Sequence, residues 1–238
     1  RTVRVGVNED YGISTVGGSN SGFAMEYLRE IKKRTDDNYE YVSGTAQELA
    51  EKLAAGEIDL VPCVTEQELS VWEDAAAAGG YHDGFVLGSF PLMAKFSAIY
   101  VSGDSSIAFS DLDTLMTKRI GYLAEDQGKY FPNGEFVMPE LRSAELIAYN
   151  TEDQMHSDFD SGKIDAVAKD CFRAWSNDLI VCQLTTAECY FMGTEDSRDI
   201  ISDIDQAIGG IMMTDNSFSA DMYEKYVAKY GYQRYAYT

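Results

Sequence analysis

The chain has 238 residues, 45% of them hydrophobic and 12% aromatic, which is enough to bury more than one core and too apolar for a disordered polymer. Its 40 acidic side chains against 19 basic ones leave a net charge of -21, which repels phosphate backbones and anionic headgroups and argues against nucleic acid or a membrane surface as partner. No run of about 18 apolar residues, the kind that spans a bilayer, occurs.

The chain opens directly on a strand-like run, Thr2 to Val7, so the sequence reads as a mature or excised fragment whose targeting segment or anchor has been removed. Asn8-Glu9-Asp10-Tyr11-Gly12 then leads into a Gly/Ser-rich loop that ends near Ser21. Ala24, Tyr27, Leu28 and Ile31 fall on one helical stripe, with Lys32, Lys33 and Arg34 suited to its C-terminus. Tyr39 to Val42 alternates as a strand does, and a helix and the run Ile58 to Val64 follow, a doubly wound beginning. Gln67 to Gly88 reads as a short helix and a long loop around Trp72, Tyr81 and His82. Ser97 to Val101 is an apolar run, with Gly103-Asp104-Ser105 as the passage to a second lobe that opens at Ser110-Asp111-Leu112. Strands are expected at Arg119 to Leu123 and Glu145 to Tyr149, then Ile180 to Cys182 and, separately, Cys189 to Met192 as the strand that returns. Two helices close the chain, one on Ile200, Ile201, Ile204, Ala207, Ile208 and Ile211, the other on Phe218, Met222 and Tyr226, and they are expected to pack on the first lobe.

Within this order one phrase occurs twice, 106 positions apart. Thr45, Glu48, Leu49, Leu53, Gly56, Ile58, Asp59 and Val61 are answered by Thr151, Gln154, Met155, Phe159, Gly162, Ile164, Asp165 and Val167. Each copy reads as a capped helix, a glycine stop and a short buried strand. The duplication predicts an α/β chain of two lobes, residues 1–101 with 188–238 and residues 102–187, each a mostly parallel mixed sheet flanked by helices, hinged by two crossing strands.

These residues resemble the type II periplasmic-binding-protein fold, in particular the solute-binding proteins that include amino-acid receptors. The resemblance covers nearly the whole chain and rests on Glu9-Asp10-Tyr11, Gly22 to Leu28, Leu53 to Leu60 followed by Thr65, Ser110-Asp111-Leu112, and Ser161 to Ala166. The tail from Cys189 to Gly231, with Asn216-Ser217-Phe218 and Tyr223 to Tyr226, looks more like the extracellular sensor modules of membrane-anchored signalling proteins. The resemblance implies extracytoplasmic binding of a small molecule by closure of the two lobes in the manner of a flytrap, as such a sensor or, alternatively, as the free or lipid-anchored binding component of an ABC transporter. It implies no cofactor, and as partners the ligand with a signalling domain or a permease.

Because ligands of open α/β sheets sit off the carboxyl ends of the strands, the loops after residues 7, 64, 123 and 168 supply the site candidates Glu9, Asp10, Tyr11, Thr65, Glu125, Asp126, Gln127 and Asp170, to which the resemblance adds Glu68. Each has a plainer reading. Glu9 and Asp10 suit a solvated loop, Tyr11 suits packing within its own loop as well as an aromatic platform, and Glu125 and Asp126 suit the positive end of a helix. Asp170 matches the amine-binding carboxylate that the resemblance implies, and would equally cap the turn after it. The resemblance places an arginine three residues after the threonine matching Thr65, to clamp a carboxylate; this chain has Glu68 there. It also implies a Ser or Thr where this chain has Glu125-Asp126-Gln127-Gly128. The expectation is therefore either a ligand that is cationic or neutral and without a free carboxylate, or a cleft with no ordinary ligand at all.

Trp72, Tyr81 and Trp175 could serve as lids, though large aromatics more often pack, and Asp59 and Asp165 suit strand-start and turn hydrogen bonds better than ligand contact. His82 and His156 with Cys63, Cys171, Cys182 and Cys189 have no metal-site spacing, and at most one disulfide is expected. Dehydratase-like enzymes share the fold, and Glu9 with Asp170 could do acid/base work, but no nucleophile, zinc or phosphate-loop motif accompanies them, so no enzyme is expected.

Overall fold

A computed structural model describes every residue except 17, 83, 176, 229–231 and 234–238. In chain order its elements are β1 (Thr2–Val7), β2 (Ser14–Val16), β3 (Ser19–Ser21), α1 (Phe23–Lys32), β4 (Asn38–Ser43), α2 (Ala46–Ala54), β5 (Val61–Thr65), α3 (Leu69–Ala78), β6 (Phe85–Leu87), β7 (Met93–Ser102) and α4 (Leu112–Leu115). They continue with β8 (Arg119–Leu123), α5 (Gln127–Tyr130), β9 (Glu145–Tyr149), α6 (Glu152–Asp160), β10 (Ala166–Asp170), β11 (Asp178–Thr194), α7 (Arg198–Thr214), α8 (Phe218–Tyr223) and β12 (Tyr232–Gln233). The chain forms two compact units, Arg1–Lys95 with Ala187–Tyr226, and Phe96–Thr186 with Val227–Thr238. Each change of unit near residues 95 and 187 falls inside one continuous strand.

In the first unit β1 runs parallel to β4 from Thr2 opposite Asn38 to Val7 opposite Ser43, and a parallel bridge joins Val5 to Leu60 just before β5. The C-terminal part of β11 runs antiparallel to β5 and β6. Leu49, Leu53, Ile58, Val61, Val64, Trp72, Phe85 and Met192 form a buried cluster, while α7 turns Ile200, Ile201, Ile204, Ala207, Ile208 and Ile211 inward. Each Val, Leu, Ile, Phe or Met among them contributes about 1.5–3 kcal/mol on full burial. In the second unit β8 lies between parallel β9 and β10, and β10 pairs antiparallel with β7. Ile99, Val101, Leu115, Ile120, Tyr130, Leu141, Ala166, Ala168 and Val181 fill its core.

The duplicated phrase builds the same object in each unit. Thr45 and Thr151 accept from the backbone N–H of Glu48 and Gln154, and Glu48 reaches back to the Thr45 N–H, so the first copy carries the full reciprocal cap. Both helices end on a left-handed glycine, Gly56 at φ 69° and Gly162 at φ 71°. Two bonds close each end: Gly56 N to Leu53 O and Glu57 N to Lys52 O, then Gly162 N to Phe159 O and Lys163 N to Asp158 O. Asp59 and Asp165 then clamp β1 and β8, each in its own unit, near the strand's beginning. Asp59 accepts from Arg4 N at 2.7 Å, Nε at 3.0 Å and Nη2 at 2.6 Å, and Asp165 from Arg119 N at 3.0 Å, Nε at 3.0 Å and Nη2 at 3.3 Å. The strand-start role expected for these aspartates is what their geometry shows.

Several readings need correction. The runs at Ile180 and Cys189 are one 17-residue strand, the half-exposed stretch between them staying extended. Ser14–Val16 and Ser19–Ser21 pair as a short hairpin inside what read as a loop, and β6 lies in the long segment after α3; both are too short to announce themselves by periodicity. Tyr223 is followed by a single π-helical stretch, Glu224–Ala228, and Gly231, the end of the tail singled out above, lies outside the described residues. Among the described residues no helix is long and apolar enough to cross a membrane.

In both units the repeat helix and strand press on a glycine of the first strand. A Cβ on Gly6 would meet Ile58 Cδ1 at 3.0 Å, and one on Gly121 would meet Ile164 Cδ1 at 2.6 Å and Tyr149 Cε2 at 3.1 Å. Gly121→Ala is therefore expected to lower stability by about 1–3 kcal/mol through overpacking. Gly6→Ala should cost less. The midpoints of urea unfolding check both the size and the order.

Candidate functional site

The carboxyl ends of β1 and β5 belong to the first unit and bring Tyr11, Thr65 and Glu68 together. β5 is irregular there: Pro62 has no N–H for the ladder, Cys63 takes φ 55°, and the register against β11 shifts between Tyr190 and Met192. Thr65 follows, and its N–H and hydroxyl both donate to Glu68 Oε2, at 2.7 and 2.9 Å. The other oxygen, Oε1, accepts from Lys95 Nζ at 3.0 Å. Lys95 is only 4% exposed; its ammonium also reaches the Cys63 carbonyl at 3.5 Å and lies 4.8 Å from the Tyr11 ring centroid. Tyr11 is buried, and its ring meets Trp72 edge-on at 5.2 Å. The packing reading of Tyr11 is therefore the one the structure bears, and Trp72 is core, not lid. Glu9 is exposed and Asp10 half-buried, the latter donating its N–H to Asn8 Oδ1 at 3.0 Å.

The ends of β8 and β10 make the corresponding cluster of the second unit. Asp170 is 1% exposed: Oδ1 accepts from Phe172 N at 3.1 Å and Cys171 Sγ at 3.5 Å, and Oδ2 from Lys129 Nζ at 3.1 Å. It thus caps the turn after β10, the plainer of its two readings. Arg173 reaches Glu152 Oε2 at 3.1 Å and Glu125 Oε1 at 3.3 Å, which ties the loop after β10 to the start of α6 and to the loop after β8. Asp126 and Gln127 sit where a 3₁₀ turn passes into α5, Gln127 exposed and Asp126 half-buried. Trp175 packs on His156 at 4.1 Å and Phe159 at 5.5 Å and donates Nε1–H to Glu152 at 3.2 Å. Tyr81 is 36% exposed.

The basic partners went unrecognised in the sequence. Lys95 lies 27 residues after Glu68 and Lys129 41 before Asp170, so no local pattern joins them. One signal was present: a lysine inside an apolar strand, as in Met93-Ala94-Lys95-Phe96 or Val167-Ala168-Lys169, must find an anion or lose its charge. Glu68 and Asp170, read as bare carboxylates, each carry a cation. Among the described residues no group of three or more His, Cys, Asp or Glu could hold a metal ion, and the four cysteines are free and buried.

The chain has the type II periplasmic-binding-protein fold. It is similar to the probable amino-acid ABC transporter extracellular-binding protein of Bacillus subtilis, with a TM-score of 0.72, 17% identity, and coverage of 95% of this chain and 97% of that one. It is similar also to an arginine third transport system periplasmic binding protein of Legionella pneumophila, at TM-score 0.65 and 19% identity, covering 94% of this chain and 98% of that one. In sequence it is 24% identical to the histidine-binding periplasmic protein of Escherichia coli over 173 residues, 71% of this chain and 61% of that relative's length. No family model matches the chain.

Glu68→Gln removes the carboxylate that neutralises the buried Lys95 and is expected to cost about 3 kcal/mol in stability. Lys95→Met together with Glu68→Gln should recover most of that loss, because neither charge then remains buried. Chemical unfolding of the wild type, both single variants and the double variant closes the cycle.

Proposed function

We propose that this chain is an extracytoplasmic solute-binding protein that takes up a small molecule by hinge closure of its two lobes, as the binding component of an ABC transporter. The observation that carries the reading is the likeness of fold over 95% of the chain to a protein described as an amino-acid ABC transporter's extracellular-binding protein. The sequence match to a periplasmic histidine-binding protein supports the same place of action. A membrane-tethered sensor is the second reading, favoured by the tail residues Asn216 to Phe218 and Tyr223 to Tyr226. The gene on either side of this chain separates the two: a transmembrane helix and cytoplasmic signalling domain after Thr238 supports the sensor, a lipid-anchor cysteine before Arg1 the receptor.

Catalysis is not part of this reading. Asp170, one half of the only acid/base pair the sequence offered, has both oxygens engaged within its own unit.

The ligand we infer is cationic or neutral and without a free carboxylate. Lys95, Lys129 and Arg173, the cations at the strand ends, already hold Glu68, Asp170, and Glu152 with Glu125, so a ligand carboxylate would have to displace one of the chain's own. Glu9, Asp10 and Asp126 at the same loops add negative charge.

The test is thermal unfolding with L-arginine, L-histidine, L-glutamine, agmatine, putrescine and glucose. A compound at 100 times its dissociation constant adds about 2.7 kcal/mol. Agmatine or putrescine is expected to give the largest shift. L-Arginine or L-histidine giving it would overturn the charge argument and keep the binding reading, whereas six null results would count against the binding reading itself.

A further inference from the structure

Three donors converge on one carboxylate at the end of β5. Glu68 Oε2 accepts from Thr65 N at 2.7 Å and from Thr65 Oγ1 at 2.9 Å, and Oε1 accepts from Lys95 Nζ at 3.0 Å. The donors are buried and fixed. Thr65 lies in β5 opposite Cys189, and the ammonium of Lys95, 4% exposed, is also bonded to the Cys63 carbonyl and set against the Tyr11 ring. The acceptor is the outward part of the cluster. Glu68 ends a short turn whose Glu66 and Gln67 are exposed, and its own side chain is 24% exposed.

We propose that the Thr65 N–H, the Thr65 hydroxyl and the Lys95 ammonium form a carboxylate-binding site within the first unit, that Glu68 fills it from inside the chain, and that Glu68 is thereby the residue that keeps carboxylate-bearing ligands from this strand end. The bearing on ligand choice rests on the solute-binding reading above; the site itself does not.

The plainer account of Glu68 is that it closes a reciprocal cap with Thr65. A cap needs no cation. Glu48 closes the same cap on Thr45 at the start of α2, at an exposed position, and among the described residues it forms no ion pair. What sets Glu68 apart is Lys95, a buried cation that arrives from β7 and supplies a charge-assisted bond the cap does not require. Any carboxylate offers the same two acceptor oxygens. An external one loses to Glu68 because Glu68 is tethered three residues from Thr65, which gives it a high effective concentration and spares it most of the cost of association. Cutting the side chain back to Cβ leaves the three donors facing a space the size of a small carboxylate, and the buried ammonium without its anion.

The test is thermal unfolding of Glu68→Ala in sodium acetate against sodium chloride at equal ionic strength. Acetate should raise its Tm progressively with concentration, as a ligand of the folded state does, while the wild type responds alike to both salts. If Glu68→Ala is unfolded in chloride, the expected result is a cooperative transition regained in acetate. Acetamide, of the same shape without the charge, should give no rise. Lys95→Met with Glu68→Ala keeps the space and loses the cation, and should weaken the acetate response by about tenfold or more in apparent dissociation constant, the loss of one hydrogen bond to a charged group. Acetate and chloride acting alike on Glu68→Ala, acetamide matching acetate, or a response unchanged without Lys95 would each overturn the proposal. Acetate rescue with none of the six compounds above binding the wild type would count against the solute-binding reading alone. A compound that binds the wild type while acetate fails to rescue Glu68→Ala would count against this inference alone.

Discussion

The fold depends on an arginine–aspartate clamp made twice. In each unit the aspartate that follows the repeat helix binds the backbone N–H and the guanidinium of an arginine in the first half of β1 or β8, Arg4 or Arg119, while its own N–H donates to that arginine's carbonyl. This fixes the parallel register between the first strand and the strand after the repeat helix, and a slip by one residue would send every side chain of the strand to the opposite face. It also sets Gly6 and Gly121 beneath Ile58 and Ile164, where no other side chain fits without movement. With the strand starts pinned, the opposite ends of β1 and β5 are placed together in the first unit and those of β8 and β10 in the second, and those ends carry the candidate site residues.

At these ends the two units solve one electrostatic problem with different parts. Each has a carboxylate, Glu68 or Asp170, bonded to nearby backbone N–H groups and neutralised by a lysine distant in sequence. Such arrangements bring small net stability, because desolvation consumes most of the attraction, yet losing either partner leaves an unpaired charge at high cost. They turn two otherwise bare carboxylates into paired charges. A chain of net charge -21 can in this way present a defined local pattern at its strand ends instead of a diffuse negative field.

The repeat also shows where the units part company. Position 63 in the first copy aligns with 169 in the second: a small cysteine in left-handed conformation in one, a buried lysine in the other. Cys63 leaves room for Lys95 to arrive from β7 and bond its carbonyl, whereas the second unit generates its buried cation from the strand itself and encloses it with Trp175 and Asp178. The same backbone plan thus carries one cation brought in from outside and one of its own.

Sequence by itself determined the longer helices and strands, the caps and glycine stops of the repeated phrase and its two-fold recurrence, because each rests on contacts within about a dozen residues, where periodicity and capping chemistry are legible; the short strands β2, β3 and β6 lie below that reach. It also assigned Asp59 and Asp165 to structure, since their place after a glycine stop and before a buried strand is a local signature. Tertiary structure alone decided that β11 is continuous, that Tyr11 is packed and held under Lys95, and that Glu68 and Asp170 are compensated. Charge in a folded chain is set by which side chains the topology brings within a few ångströms, and those partners stand 27 to 41 residues apart, beyond the reach of any pattern written along the chain.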